Sequence, residues 1–453
     1  MSRSPLPHSP AGAVSPAARR PLPSLAMTVL TSPTRVRVRV ARNGTLVLGG
    51  GFAGGCVARR LGRAGATIVN PTNFMLYTPL LPEAAAGSVE PRHVVVPLRA
   101  MCPHADLLLG SAVALDPERR VVAVESEAGR FAVAYTDLVI ALGAVTRMPA
   151  VPGLEAHALR LKDLSDAIRL RNHVLRQIEL ADAAPDSAPR RLTFVFAGAG
   201  FAGVETLAEL QELADGALRR HPRLAGVQPR WVLVDHSPRI LGQVPERLAR
   251  SASRTLTRRG VEILNGTALA SVRRGAAVLS DGSRLETETV VWTAGIEPNP
   301  LAAALGLPVD DRGRVPVDST LRVAGMEHVW ALGDCAAVPN EATPGELDPA
   351  TCQHALRQAR RLARNLTGTP RPYGYKTRGQ MATLGRRHGI AVLGRVPVAG
   401  LPGWLVARGY HLVQLPLRAR RVRVMADWLA AALFRRDVAE LTLARPVPVR
   451  GAA

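Results

Sequence analysis

Cysteine is scarce in this 453-residue sequence, and its spacing argues against several kinds of site. The cysteines form no C-x-x-C pair and no other spacing typical of metal ligands; they are Cys56, Cys102, Cys335 and Cys352. We therefore predict no metal site and expect reduced thiols in a cytosolic setting. No run of 18 or more apolar residues occurs, so we expect no helix that spans a membrane.

Aromatic residues make up only 4% of the chain, and acidic residues are too few to balance the basic ones. The formal net charge is +22, of which +7 lies in residues 1–42, +3 in residues 43–370 and +12 in residues 371–453. A basic surplus can serve nucleic-acid binding, but the sequence contains no nucleic-acid motif. A basic C-terminal region with tryptophans also suits an anionic membrane surface. We predict no nucleic-acid partner.

Two glycine-rich segments organise the chain. In each, a short apolar strand runs into a G-x-G-x-x-G loop, and a helix follows at once. The second loop repeats the first 149 positions later; the loop glycines are Gly49, Gly51, Gly54, Gly198, Gly200 and Gly203. Such loops hold the pyrophosphate of a dinucleotide at a helix N-terminus. Two of them in one chain predict two dinucleotide folds that pass a hydride between a nicotinamide and a flavin.

The end of the next strand in each fold usually carries an acid that binds the adenosine ribose. In the first fold this position is Asn70, whose amide oxygen can accept from a hydroxyl but carries no charge. In the second fold it is Asp235, which lies 37 residues past Gly198 because a proline-containing stretch lengthens the crossover. A carboxylate there would repel the 2′-phosphate of NADPH, so we favour NADH. The neighbouring His236 keeps NADPH as an alternative.

Several other positions at predicted strand ends are candidates for cofactor contact. Three apolar strands close on Gly143, Gly295 and Gly333, and Asp334 follows the last of these. An aspartate directly after a glycine can accept hydrogen bonds from a polar cofactor chain. Glu205 follows the second loop in the first turn of its helix, where the helix dipole stabilises a carboxylate whatever its function.

We predict an α/β protein with two Rossmann-type domains and a C-terminal amphipathic region. Residues 1–42 are rich in Pro, Ser, Ala and Arg, which predicts a disordered basic tail, with Met27 as a plausible true start. A twin-arginine signal is a weaker interpretation. The predicted units are 43–160 and 297–370 for the flavin domain, 161–296 for the NADH domain and 371–453 for the membrane-associating region.

The C-terminal region contains two amphipathic candidates, Gly403–Leu412 and Val424–Leu441, with the basic stretch PLRARRVRV between them. Guanidinium groups beside tryptophan-bearing helices fit a segment that lies in a membrane interface. The alternative is that the apolar stripe packs on the body of the protein or on a second subunit. Both arrangements are possible together.

The chain resembles the type II NADH dehydrogenases, single-subunit NADH:quinone oxidoreductases that do not pump protons. The resemblance extends from about Gly44 to Leu441. It rests on GGGFAG, YTPLLPEAAAG, LVIALGA, the GVE after the second loop, WTAG, ALGDCA, QHALRQA and GQMATLGRRHGIAVLG.

This resemblance implies FAD in the first fold, NADH in the second, and a quinone, either menaquinone or ubiquinone, on the membrane side. Residue by residue, it assigns the first three loop glycines to FAD, Asp334 to its ribityl side, and the second loop with Asp235 to NADH. Glu205 matches an acid near the nicotinamide that is associated with proton delivery, and Gln353 matches a quinone-side glutamine. The resemblance further implies a homodimer attached peripherally to the cytoplasmic face of the cell membrane.

The sequence departs from the family pattern at Asn70 and at Cys352, where alanine is usual. No C-x-x-x-x-C follows the first loop, which excludes disulfide reductase chemistry. Cys335 and Cys352 are candidates for the pair that a sulfide:quinone reductase needs, but Cys335 directly follows Asp334 and suits a structural role. Two other hypotheses remain: a soluble NAD(P)H reductase of a protein acceptor such as ferredoxin, and a non-catalytic flavoprotein that senses redox state or binds DNA.

Overall fold

The computed structural model describes residues 36–377, 379–394 and 396–441. Within the predicted disordered tail of residues 1–42 it places a strand, β1, at Arg37–Val40. This Arg-Val-Arg-Val segment pairs in parallel with a later strand, and the Arg39 guanidinium lies 4.7 Å from the ring centre of Phe131. The tail prediction was therefore too long at its C-terminal end. The predictions for Met27 and for the twin arginines fall outside the described residues.

The first third of the chain alternates strands with short helices. Its strands are β2 Thr45–Leu48, β3 Thr67–Asn70, β4 Phe74–Leu76, β5 Val95–Pro97, β6 Asp106–Leu109, β7 Ser111–Asp116, β8 Val121–Ser126, β9 Gly129–Ala134, β10 Asp137–Ile140 and β11 Ala144–Thr146. Its α-helices are α1 Phe52–Arg60, α2 Leu81–Ala85 and α3 Leu98–Met101.

The middle third repeats the strand–helix alternation. Its strands are β12 Leu159–Arg160, β13 Thr193–Ala197, β14 Arg230–Asp235, β15 Val261–Asn265, β16 Leu269–Arg273, β17 Ala276–Leu279, β18 Arg284–Glu286, β19 Thr289–Trp292 and β20 Ile296–Pro298. Its α-helices are α4 Leu154–His157, α5 Leu164–Ala183, α6 Ala188–Arg191, α7 Phe201–Leu218 and α8 Glu246–Arg258.

The last third returns to the first sheet and then ends in two helices. Its strands are β21 Val315–Pro316, β22 Val329–Ala331, β23 Ala336–Ala337, β24 Met381–Thr383, β25 Gly389–Leu393 and β26 Val396–Ala399. Its α-helices are α9 Leu301–Ala304, α10 Cys352–Asn365, α11 Leu401–Gln414 and α12 Arg418–Leu433.

Two five-stranded parallel sheets form the framework, in the orders β22-β10-β2-β3-β6 and β12-β19-β13-β14-β15. Their central strands, β2 and β13, are buried along their whole length, as expected for parallel strands covered on both faces. Each central strand leads into one of the glycine loops, at the carboxyl edge where such sheets bind ligands. The predicted α/β class with two dinucleotide folds is thereby confirmed. The domain boundaries and the membrane-associating role of the C-terminal region stay predictions.

Three antiparallel layers accompany the parallel sheets: β7 to β9, β16 to β18 and β24 to β26. The third layer packs between α7 and α11, so the C-terminal helices are held against the helix that follows the second loop.

The second C-terminal helix differs from its prediction. We predicted an amphipathic segment over Val424–Leu441, but α12 begins at Arg418 and ends at Leu433. The basic stretch is therefore the first part of this helix and not a linker before it. The chain beyond Leu433 cannot continue the helix because the protein body holds it extended: Arg171 donates to the Asp437 carbonyl at 2.8 Å, and Asn172 donates to the Leu441 carbonyl at 2.6 Å.

Candidate active site

The first glycine loop has the geometry of a phosphate cradle. Gly49 adopts a φ of +106°, which L side chains rarely adopt, and a side-chain carbon at Gly54 would overlap the Gly49 carbonyl oxygen. By contrast, a side-chain carbon at Gly51 would meet nothing within 4 Å. Gly51 is also the N-cap of α1 and offers no side-chain acceptor to the first-turn N–H groups. The loop thus leaves both space and free donors for a pyrophosphate.

The second loop repeats this geometry. Gly198 has a φ of +110°, and a side-chain carbon there would lie 2.6 Å from the Ala294 nitrogen. One at Gly203 would overlap the Gly198 carbonyl oxygen, whereas one at Gly200 would meet nothing within 4 Å. Gly200 is the N-cap of α7. The residues present therefore fit two dinucleotides, one at each loop.

The residues at the ends of β3 and β14 occupy equivalent places. The Asn70 amide oxygen accepts from the Gly50 N–H at 2.8 Å, and Asp235 accepts from the Ala199 N–H at 2.5 Å. Each side chain thus ties its strand end to its own glycine loop. Asp235 also accepts from Ser237 N–H at 2.8 Å, and its side chain is only 12% exposed. The Asn70 oxygen that we expected to face a ribose hydroxyl already holds the loop.

The strand-end glycines lie beside the two loops: Gly143 and Gly333 are near the first, and Gly295 follows Ala294, which contacts the second. Gly143, Gly295 and Gly333 all have positive φ values, of +69°, +94° and +76°. Gly143 and Gly295 precede β11 and β20, two strands that pair with each other and link the two folds. A side-chain carbon at Gly333 would approach the Ala53 side chain to 3.1 Å, so this glycine lets the strand end pack on α1.

Asp334 lies beside a lysine that the sequence did not single out. Burial raises the pKa of Asp334, and the positive charge of Lys162 opposes that rise. Burial in turn lowers the pKa of Lys162, which Asp334 partly restores. Lys162 belongs to the turn between β12 and α5, far from Asp334 in the sequence. No local motif marks it; only the folded chain places it at this site.

Gln353 lies in the first turn of α10, next to aromatic residues from two other segments. Its amide nitrogen donates to the Gly379 carbonyl at 3.1 Å, and its oxygen accepts from the Tyr375 hydroxyl at 3.4 Å. Tyr77, from the YTPLLPE segment, has its ring 5.5 Å from that of Phe52 in α1. The Tyr77 hydroxyl donates to the His411 carbonyl in α11 at 3.2 Å. The YTPLLPE segment therefore connects α1 to the C-terminal helices.

These aromatic groups form a largely uncharged surface. Burial raises the pKa of Tyr77 well above its usual value and lowers that of His411 to about 4, so both are neutral at pH 7. The pKa of Tyr410 rises to about 12, also through burial. Tyr77 and His411 were not identified from the sequence, because 334 residues separate them.

Glu205 is half-buried on α7 and has an unusually high pKa, about 8. Burial is the main cause, and the nearby carboxylates of Glu83 and Glu209 raise it further. Two hydrogen bonds oppose the rise: Glu205 accepts from the Thr383 N–H at 2.8 Å and from its hydroxyl at 3.3 Å. Glu205 is therefore a protonated acid at pH 7 that can release a proton near neutrality.

Glu83 and Glu209, the neighbours of Glu205, are fully buried and tied to the C-terminal segment. The Trp428 indole donates to Glu83 at 2.5 Å, and Arg408 lies 3.5 Å from the same carboxylate. Arg436 pairs with Glu209 at 2.9 Å. Sequence reasoning missed this cluster, since its members come from α2, α7, α11, α12 and the chain after α12.

Three of the four cysteine thiols are made less acidic by burial. Burial raises the pKa of Cys102 to about 12 and those of Cys335 and Cys352 to about 11, so each is a neutral thiol at pH 7. Cys335 donates to the Leu332 carbonyl at 3.4 Å, in line with a structural role. Within the described ranges the four cysteines form no disulfide, and no group of three His, Cys, Asp or Glu side chains is placed to hold a metal ion.

Comparison with known proteins identifies relatives of the same design. The pyridine nucleotide-disulphide oxidoreductase family matches residues 44–359. The type II NADH:quinone oxidoreductase Ndh of Mycobacterium tuberculosis is 29% identical, over 87% of this chain and 89% of its own length. An internal alternative NAD(P)H-ubiquinone oxidoreductase A1 of Solanum tuberosum is 28% identical, over 87% and 88%.

One solved structure has the same fold over its whole length and over most of this chain. NDH2 from Plasmodium falciparum in complex with NADH superimposes with a TM-score of 0.79, covering 89% of this chain and all of that chain at 16% sequence identity.

Proposed function

The chain belongs to the pyridine nucleotide-disulphide oxidoreductase family, and from this premise we propose that it is a type II NADH:quinone oxidoreductase. It passes electrons from NADH through FAD to a quinone, without pumping protons. The overall change is that NADH, one proton and a quinone become NAD⁺ and a quinol. Both glycine loops fit the two dinucleotides that this reaction requires.

One observation carries the choice of acceptor: no second cysteine follows Cys56 at the C-x-x-x-x-C spacing of disulfide reductases. The described cysteines also form no disulfide. The chain thus lacks the thiol pair that receives electrons in such reductases, which favours a separate acceptor. The curated relatives described above are named for quinones, which supports a quinone as that acceptor.

Each candidate residue has a role in this proposal. Bound FAD supplies hydride acceptance from NADH and transfer of two electrons onward. The loops Gly49 to Gly54 and Gly198 to Gly203 hold the two pyrophosphates, Asp334 accepts from the FAD side chain, and Asp235 accepts from the NADH ribose. Gly143, Gly295 and Gly333 let the backbone approach the cofactors closely. Asn70 holds the FAD loop in place of an acid.

Proton supply is assigned to Glu205 and quinone contact to Gln353. Quinone reduction consumes two protons, and Glu205 with a pKa of about 8 carries one at neutral pH. Gln353 lies at the start of α10 among Tyr375 and other aromatic neighbours, where an amide can donate to a quinone carbonyl.

We further infer peripheral attachment to the cytoplasmic face of a membrane. No described helix is long and apolar enough to cross a bilayer. The support is an apolar stripe on α12 that points to solvent: Val422, Met425, Leu429 and Leu433 are between 52% and 70% exposed at helical spacing. Arg418 and Arg423 flank it, a combination typical of helices that lie in a membrane interface.

A homodimer is the second possible use of this surface. α11 and the β25–β26 hairpin also carry exposed apolar residues: Leu393, Val396, Leu401 and Leu405. Clusters of exposed apolar residues are typical of membrane or subunit contacts. The family resemblance implies both a dimer and membrane attachment, so we expect a dimer that binds vesicles. Sedimentation without vesicles measures the oligomeric state, and sedimentation with vesicles measures membrane binding.

The decisive experiment is stopped-flow reduction of the purified flavoprotein by NADH and by NADPH, followed by mixing with ubiquinone-1 or a menaquinone analogue. Fast flavin bleaching by NADH and reoxidation by quinone are expected. Bleaching without quinone reoxidation, together with salt-sensitive transfer to an iron–sulfur protein, would instead favour the ferredoxin-type reductase. A preparation that binds no flavin would contradict the enzyme assignment.

A further inference from the structure

An arginine-lined cavity lies beneath the C-terminal helices, outside the nucleotide sites. It has a volume of about 290 Å³ and opens between the end of α7, the turn from β24 to β25, α11 and α12. Six arginines line it, and Glu212 is the one carboxylate in its wall; the arginines are Arg219, Arg386, Arg387, Arg408, Arg435 and Arg436.

Most of this positive charge is not neutralised by the protein. Arg436 pairs with Glu209 and Glu212, and Arg408 lies 3.5 Å from Glu83. The other four arginines are exposed and form no ion pair with a carboxylate within the described ranges, although the Arg386 guanidinium donates to the Ala432 carbonyl at 2.8 Å. Water partly screens their charges, and an anion bound among them would replace water as their partner.

Two side chains of the cavity wall are fixed by burial. The Trp404 indole N–H and the Arg408 Nε–H are buried and have no hydrogen-bond partner among the described residues. Arg408 is held in place between two rings, 4.3 Å from the centre of Trp404 and 4.7 Å from that of Trp428. These stacked groups form a rigid wall, whereas the arginines at the cavity mouth are accessible to a ligand.

The cavity continues into the exposed apolar surface. Leu433 and Phe434 line its edge and are 70% and 72% exposed, and Leu429 extends the surface along α12. A cavity of this volume accepts a polar head but not a lipid's chains, which would lie along the stripe. A free phosphate would use the arginines but leave the apolar residues in water.

From this arrangement we propose that the cavity binds the phosphate group of an anionic phospholipid, with the acyl chains on the α12 stripe. The phosphate oxygens accept from Arg387 and Arg435 at the cavity mouth. This inference rests on the peripheral membrane attachment proposed above, to which it adds a specific lipid site. The lipid would anchor the chain in one orientation, with α12 parallel to the bilayer surface.

The test uses the full-length flavoprotein and a soluble short-chain lipid. Dihexanoyl phosphatidylglycerol, below its micelle concentration, is titrated by calorimetry against wild type, R387Q/R435Q and R418Q/R423Q. Both variants lose two positive charges, but Arg418 and Arg423 are exposed on α12 outside the cavity. Dihexanoyl phosphatidylcholine and inorganic phosphate are the comparison ligands.

We expect one phosphatidylglycerol per chain, at least tenfold weaker binding in R387Q/R435Q, and a change of less than threefold in R418Q/R423Q. Equal loss in both variants would show only general charge attraction, and equal affinity for inorganic phosphate would show a phosphate site; either result overturns the lipid site. So does the absence of saturable binding. NADH:ubiquinone-1 activity and melting temperature are measured on the same samples, and failure of activity in the wild type would count against the enzyme function, not the lipid site.

Discussion

Replacing Glu205 by glutamine should remove the pH-dependent component that this acid adds to stability and to turnover. The amide has nearly the shape of the protonated carboxyl and can still accept from the Thr383 N–H, which lies 2.8 Å from Glu205 in the wild type. The substitution therefore fixes the uncharged form without opening a cavity. Its neighbours Glu83 and Glu209 lose one repulsive charge at high pH.

The sign and size of the stability effect follow from the pKa. Folding raises the Glu205 pKa from 4.5 to about 8, so between these values the folded chain holds a proton that the unfolded chain has released. The stability of the wild type therefore falls as pH rises through this window, by about 1.4 kcal/mol per pH unit. An upper limit for the whole window is about 5 kcal/mol, reduced by the carboxyl's partial contact with solvent.

The assay compares urea unfolding of flavin-loaded wild type and E205Q from pH 5 to pH 9. The free energy of unfolding of E205Q minus that of the wild type should rise steadily up to about pH 8 and then level off. Groups that do not interact with Glu205 titrate equally in both proteins and cancel. E246Q is the matched control, because Glu246 is 66% exposed and pairs only with the exposed Arg250. Its difference from wild type should stay flat.

Turnover with ubiquinone-1 gives an independent measurement. An acid that donates while protonated loses activity as pH rises through its pKa, so wild-type kcat should fall above about pH 8. E205Q should be slower by about 10²-fold at pH 7 and should lack this alkaline limb. A pH-independent stability difference, together with unchanged kcat, would refute the role given to Glu205.

Four further substitutions test the other assignments. Asp235→Asn keeps the acceptor for the loop but removes the charge, so the NADPH-to-NADH preference in kcat/KM should rise about tenfold; an unchanged ratio would contradict the ribose assignment. Gly51→Ala should fold normally but retain less FAD, because its methyl group enters the open space in the cradle. Gly54→Ala should retain less FAD and also have a lower melting temperature, because its methyl group would overlap the backbone. Equal behaviour of the two variants would argue against the cradle. Gln353→Ala should raise KM for the quinone severalfold and leave stopped-flow flavin reduction by NADH unchanged, and a slowed reduction would place Gln353 elsewhere.

The two dinucleotide folds could be predicted because their signals are local. A strand, a glycine turn and a helix follow each other within about 15 residues, and steric demands at Gly49, Gly54, Gly198 and Gly203 leave few alternatives. The same motif also predicted that the cofactors are dinucleotides. The prediction that Asn70 stands at the end of the second strand was also correct, although its amide oxygen holds the glycine loop.

The acid cluster could not be predicted, because its contacts join distant parts of the chain. Trp428 and Glu83 are 345 residues apart, and no pattern near either one indicates the other. Lys162, which lies beside Asp334, could not be predicted for the same reason. The bounds of α12 were wrong because its end depends on contacts of the following segment with α5, which helical periodicity does not reveal.

The C-terminal helices contribute to the acid cluster as much as to the outer surface. Arg408 of α11 and Trp428 of α12 both reach Glu83, and Arg436 beyond α12 reaches Glu209, so the charges around Glu205 are set by the segment that carries the exposed apolar stripe. Removing that segment would take the ionic partners away from Glu83 and Glu209 and expose both carboxylates to water, which changes the charges around Glu205. Truncation before α11 should therefore disturb the redox site itself, and a test of the proposed membrane attachment that preserves activity requires substitutions on the stripe alone.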